Sequence, residues 1–163
     1  MSVKDVFLDL ISYNTGSDET TGTTPSTPGQ KVLGAHIVEV MKSMGIEDAH
    51  MDENGYVYGT VPATEPRKNT VGFIAHMDTY GGVPGENIHP QVIENYDGGD
   101  IALGTSGLTL SPEATPELTK HVGKTLITTD RTTLLGGDDK AGVAEILCAA
   151  AGILKEGKPH GTM

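Results

Sequence analysis

The sequence predicts an α/β fold, and three observations carry that prediction. An apolar, β-prone stretch runs straight into a His-x-Asp at Phe73-Ile74-Ala75-His76-Met77-Asp78-Thr79. A glycine turn, Leu134-Leu135-Gly136-Gly137-Asp138-Asp139-Lys140-Ala141-Gly142, leads directly into a helical pattern. Around these two segments, stretches of helical spacing alternate with short β-prone runs.

The elements follow in order. Val3, Val6, Phe7, Leu10 and Ile11 fall at helical spacing and predict an amphipathic first helix. Residues 14–29 are dense in Thr, Ser, Gly and Pro and read as a loop. Thr27-Pro28 then has the form of an N-cap followed by proline at the first helical position. Leu33, Ile37, Val40, Met41 and Met44 make the stripe of a second helix, which Gly45 ends. Asn54-Gly55, between Met51 and Val57-Tyr58, is a hairpin signal. Residues 70–75 read as a short buried strand with His76 at its C-terminal end, where ligand sites of open α/β sheets gather. Residues 80–124 are weakly patterned, and a stretch that long is functional or partly structured. Residues 125–129 and 132–135 are short β-like pieces. Asp138 opens a third helix with Val143, Ile146, Leu147, Ala150 and Leu154 inward, and Gly157 and Pro159 stop it. The next element of an alternating fold would be another strand, so the chain reads as cut after Met163.

Composition narrows the function classes. A length of 163 residues suffices for one domain with a real core. Eleven Lys and Arg against 22 Asp and Glu give a formal charge of −11, which argues against nucleic acid and against an anionic membrane surface. The single Cys148 excludes an internal disulfide. No apolar run approaches a membrane span, and no basic-then-apolar leader opens the chain, so a cytoplasmic location is the default.

Imidazole and carboxylate from two separate segments are what a divalent zinc site needs, and they point to metal-dependent hydrolysis. His76 alone could be a structural histidine. Asp78, two residues on, can accept the other ring N–H and fix which nitrogen faces a metal. Asp138 and Asp139 could simply cap the third helix; a bound cation would offset their mutual repulsion. The glycine turn lacks the Gly-Lys-Ser/Thr of a phosphate loop, and Gly104-Thr105-Ser106-Gly107 lacks the spacing of a nucleophile elbow. Cys148 lies inside the third helix, beside its apolar face. Of the other histidines, only His89, in Asn87-Ile88-His89-Pro90, sits in a loop where a ligand is conceivable.

Ala75-His76-Met77-Asp78-Thr79 and Gly137-Asp138-Asp139-Lys140-Ala141-Gly142 resemble the two metal motifs of the di-zinc aminoacylase/carboxypeptidase-like exopeptidases. Pro25-Ser26-Thr27-Pro28-Gly29-Gln30, Asn87-Ile88-His89-Pro90-Gln91, the run Glu94-Asn95-Tyr96-Asp97-Gly98-Gly99-Asp100-Ile101-Ala102-Leu103-Gly104 and Gly123-Lys124-Thr125-Leu126-Ile127-Thr128-Thr129-Asp130 resemble the tripeptide aminopeptidases within that group. The resemblance covers nearly the whole chain. It implies a mixed-sheet catalytic domain with helices packed on the sheet, of which residues 1–163 are the N-terminal portion. It implies two zinc ions per full-length subunit, with His76 a ligand of one, Asp138 the carboxylate bridging both, and Asp78 the catalytic residue that orients and polarises the imidazole. Asp139 would follow Asp138 across a cis peptide. The implied substrate is a small peptide that loses its N-terminal residue. The family's Glu-Glu pair, its later ligands and its small substrate or dimerisation domain are not in the sequence. A related dipeptidase, N-acyl hydrolase or carboxypeptidase is an alternative, as is a non-catalytic scaffold with weak metal affinity. The 163 residues by themselves are expected to be inactive and to self-associate.

Overall fold

The computed structural model describes residues 2–66 and 69–163. They form two compact units. One comprises residues 1–81 and 136–163, the other residues 82–135.

In the first unit, α1 (Val3–Ile11) buries Phe7, Leu10 and Ile11 and packs on α3 (Gly137–Glu156), which buries Val143, Ala144 and Leu147. The apolar spacing selects these faces in the main, but Val3 of the first stripe is exposed, and Ala144 joins the buried residues of α3. Helix α2 (Pro28–Ser43) starts behind Thr27 as expected, but the Thr27 hydroxyl donates to the Gly16 carbonyl and does not cap the helix. Leu33 and Ile37 are buried as predicted. Val38 joins them, whereas Val40 is only half-buried. Gly45, at φ +91°, closes the helix with its N–H on the Lys42 carbonyl. The expected hairpin forms: β1 (His50–Met51) pairs antiparallel with β2 (Val57–Tyr58), and Gly55 takes the positive φ of the turn. Val38, Ile46, Ala49 and Val61 make one core cluster, against which Ala150 and Leu154 of α3 pack.

The weakly patterned stretch is structured. In the second unit, β3 (Pro90–Ile93) pairs antiparallel with β6 (Leu126–Thr129), in the register Pro90 to Thr129 and Ile93 to Leu126. Strand β4 (Ile101–Ala102) pairs with β5 (Thr109–Leu110), and a 3-10 helix spans Pro116–His121. Tyr96, Ile101 and Leu118 form a core of their own. The apolar residues of this unit are spread thinly along the chain, which is why no period betrays them.

The α/β class holds. Among the described residues its strands appear as three two-stranded antiparallel ribbons. Two expected strands are corrected. Residues 70–75 form no strand, and Phe73 and Ile74 are exposed instead of buried, at 61% and 96%. Residues 132–135 likewise run as bends and irregular chain. Apolar, β-branched sequence favours extended backbone, but a strand exists only where a second strand offers a ladder. No described residues do so along 72–75. Among the described residues no helix is long and apolar enough to cross a membrane.

Candidate metal centre

His76, Asp78 and Asp138 come together, all within the first unit. His76 Nδ1 lies 3.0 Å from the Asp78 carbonyl oxygen and 3.2 Å from Asp78 Oδ1. On the other side of the ring, Nε2 lies 3.0 Å from Asp138 Oδ1. One imidazole thus bridges its own loop and the start of α3, 62 residues away. Partial burial pushes the imidazole pKa down. The hydrogen bond to the Asp78 carbonyl, that to the Asp138 carboxylate and the two negative charges outweigh it, and together they hold His76 above its ordinary value.

Two backbone devices place the carboxylates. Gly136 sits in the left-handed region at φ +80°, which glycine reaches without cost, and swings the chain into α3. The Asp138–Asp139 peptide is cis, as the resemblance implies, and both residues depart from helical dihedrals. The two acids then part company. Asp139 Oδ1 accepts the Gly142 N–H at 3.1 Å, so Asp139 caps the first helical turn. Asp138 turns to His76 and keeps its carboxylate 95% exposed.

The helix-capping reading of this pair therefore holds for Asp139 and not for Asp138. Asp138 caps nothing, and its free lone pairs face outward beside an imidazole nitrogen. A cation fits between them: Zn–N and Zn–O bonds of about 2.0–2.2 Å let one ion touch donors this close. The fit extends to two donors. Among the described residues, no group of three or more His, Cys, Asp and Glu side chains gathers at one point.

Three contacts at the site have no signal in sequence spacing. Ser17 Oγ donates to Asp78 Oδ2 at 2.7 Å, and Thr15 Oγ1 donates to the Met77 carbonyl at 2.7 Å. Lys140, 1% exposed, donates from Nζ to the Tyr13 carbonyl at 2.6 Å, and burial pushes its ammonium down to about 8. Residues 14–29 read as featureless loop, yet they hold the loop that carries His76.

Two other histidines are engaged elsewhere. His89 lies in the second unit, with Nδ1 3.2 Å from Asp130 Oδ2. His36 Nε2 meets Asp9 Oδ2 at 2.6 Å and stacks on Tyr13. Cys148 is half-buried on α3, and burial pushes its thiol up, which suits a packed and unreactive group.

The fold has counterparts among known structures. It is the fold of part of an aminopeptidase. The chain superposes on the crystal structure of aminopeptidase PepT from Bacillus cereus with a TM-score of 0.64 at 23% identity, over 98% of this chain and 34% of that one. A tripeptidase from Staphylococcus aureus gives 0.61, also at 23% identity and with the same coverage. In sequence the chain is similar to peptidase T. It is 50% identical to peptidase T of Bacillus subtilis over 160 residues, covering 96% of this chain and 39% of that protein. Against peptidase T of Halothermothrix orenii it is 49% identical over 162 residues, covering 98% and 40%. The likeness is to the N-terminal part of those proteins. The chain spans about two-fifths of the length of these relatives. No protein-family profile matches it.

Proposed function

We propose that this chain carries part of a zinc-dependent aminopeptidase centre, one that releases the N-terminal residue of tripeptides. The observation behind this reading is the 3.0 Å approach of His76 Nε2 to Asp138 Oδ1, with Nδ1 turned to Asp78. Similarity to proteins named peptidase T supports the substrate class.

His76 and Asp138 would hold the metal, and Asp138 would be the carboxylate shared by two zinc ions. Zinc bound there would polarise a peptide carbonyl and lower the pKa of a water. The chain's own residues prepare for this. The Asp78 carbonyl accepts the Nδ1–H, with the Asp78 carboxylate charge beside it, and this leaves the Nε2 lone pair to face Asp138. Asp139 is withheld by the Gly142 N–H, so the two acids do not compete for one ion. In the resemblance, the group that takes the water's proton belongs to a Glu-Glu pair, which these 163 residues do not contain.

A second reading, a scaffold that binds metal weakly, draws on the donor count: two side chains, where a catalytic zinc takes three protein ligands.

Zinc titration against a chromophoric chelator tests the assignment. The 163-residue chain should bind zinc weakly. Asp138→Ala and His76→Ala should each weaken binding at least about tenfold, since even groups that only orient a ligand change affinity by that much. An Asp138→Ala chain with wild-type zinc affinity would remove Asp138 from the site.

A further inference from the structure

We infer that Ser17 is a positioning residue for this centre: its hydroxyl fixes the Asp78 carboxylate and, through it, the side of the His76 ring that carries the proton. The inference rests on the proposed metal reading for its consequence, but not for its geometry.

Asp78 divides its two oxygens. Oδ2 accepts the Ser17 hydroxyl at 2.7 Å, and Oδ1 lies 3.2 Å from His76 Nδ1. A free carboxylate rotates about its Cβ–Cγ bond. One held at Oδ2 presents Oδ1 in a fixed direction. The Nδ1 side of the ring then has the Asp78 carbonyl as its hydrogen-bond acceptor and the negative charge of Oδ1 beside it. The Nε2 side meets its acceptor on a carboxylate 95% exposed, where water competes. A neutral ring in this setting places its proton on Nδ1 and leaves Nε2 open.

Ser17 is itself held hard. Its N–H donates to the Thr79 carbonyl at 2.9 Å, and the Thr79 N–H returns to the Thr15 carbonyl at 3.1 Å, giving a parallel bridge between Gly16 and Thr79. The Thr15 hydroxyl ties down Met77 from the same segment. Gly81 packs so closely that any Cβ there would collide with the Ser17 carbonyl oxygen. The segment 15–17 and the loop 77–81 thus form one clamp. Of its side chains, the Ser17 hydroxyl is the one that reaches the Asp78 carboxylate.

The test reads the tautomer of His76 by nitrogen-15 NMR in the metal-free chain, at alkaline pH where the ring is neutral, with the resonance assigned by its loss in His76→Ala. Ser17→Ala should lower the ratio of Nδ1–H to Nε2–H about threefold, the size a modest net hydrogen bond carries. Ser17→Thr, which keeps the hydroxyl, should restore it. Thr27→Val loosens the same segment by removing the bond to the Gly16 carbonyl and should leave the ratio alone. Zinc affinity, titrated in parallel, should fall about tenfold in Ser17→Ala. An unchanged ratio in Ser17→Ala overturns the inference, as does an equal shift in Thr27→Val. A shifted ratio in a chain whose zinc affinity ignores His76→Ala leaves the role of Ser17 standing and overturns the metal reading instead.

Discussion

Asp138 and Asp139 are neighbours in sequence and opposite in use. One faces the imidazole with an exposed carboxylate, and the other closes the first turn of α3 on the Gly142 N–H. Their substitution should separate the two uses. Asp139→Ala leaves a helical N–H without its side-chain acceptor and should cost about 1 kcal/mol of stability, as N-cap losses do. It should leave zinc affinity near wild type, whereas Asp138→Ala should do the reverse. Urea unfolding and chelator competition on the two variants check this; an Asp139→Ala chain of full stability with lost zinc binding would exchange the roles. The sequence makes it legible that both acids sit at a helix start and that His76 belongs with them, because local residue types carry that. Which acid does which job is set by the dihedrals of residues 136–139, and those have no signature in composition. Ser17 was illegible for a different reason. It is 61 residues from Asp78, and a lone serine in a Thr- and Gly-rich loop looks like any other.

Among the elements, the helices were readable because their signal is local. The apolar period of α1 and α3 names the residues that pack, and glycine marks both ends of α3. Strands are legible where a turn ties the partners together, as in β1 and β2, and where the run itself is β-prone and finds a partner, as in β6. Pairing of β3 with β6 joins segments more than thirty residues apart, and the apolar pattern of residues 70–75 describes a backbone preference and not a partner. One inward residue of α3 is not apolar at all. Lys140 lies among the buried residues of the helix and reaches the Tyr13 carbonyl, just past the end of α1, so a single ammonium joins two elements. Burial holds this group at about 8, against an ordinary 10.5 in the unfolded chain. Below pH 8 both states carry the proton and the desolvation cost is fully present. Between pH 8 and 10.5 the folded state has released it and the unfolded state has not, so stability rises with pH across that window. Lys140→Met removes the titration. The stability of wild type relative to Lys140→Met should therefore climb from pH 8 to 10.5, by at most roughly 3 kcal/mol, with the bond to Tyr13 offsetting part of it. Paired urea melts along that range measure the difference, and a flat or falling difference would show that the ammonium is fully compensated where it lies.

For the molecule as a whole, two global properties oppose each other. The formal charge of −11 keeps copies apart. Against it stands the stretch before His76, where Val71, Phe73 and Ile74 are all at least half exposed and no described strand pairs with residues 72–75. Exposed β-prone backbone of this kind invites pairing with another chain. Salt decides between the two. Screening shortens charge repulsion to about 10 Å at 0.1 M and leaves apolar association intact. The 163-residue chain should therefore self-associate, and more strongly as salt rises. Ile74→Lys places a charge on a side chain that is 96% exposed, so it should cost the fold little and return the chain toward monomer. The same protein should release no amino acid from a tripeptide with zinc present, since His76 and Asp138 supply two donors where a catalytic zinc takes three. Light scattering at low and high salt, beside an assay for free N-terminal residue, reads both. A monodisperse monomer at high salt would mean that residues 71–74 are satisfied as they stand. Tripeptide cleavage by that monomer would mean that the chain completes its metal site with groups other than the two named here.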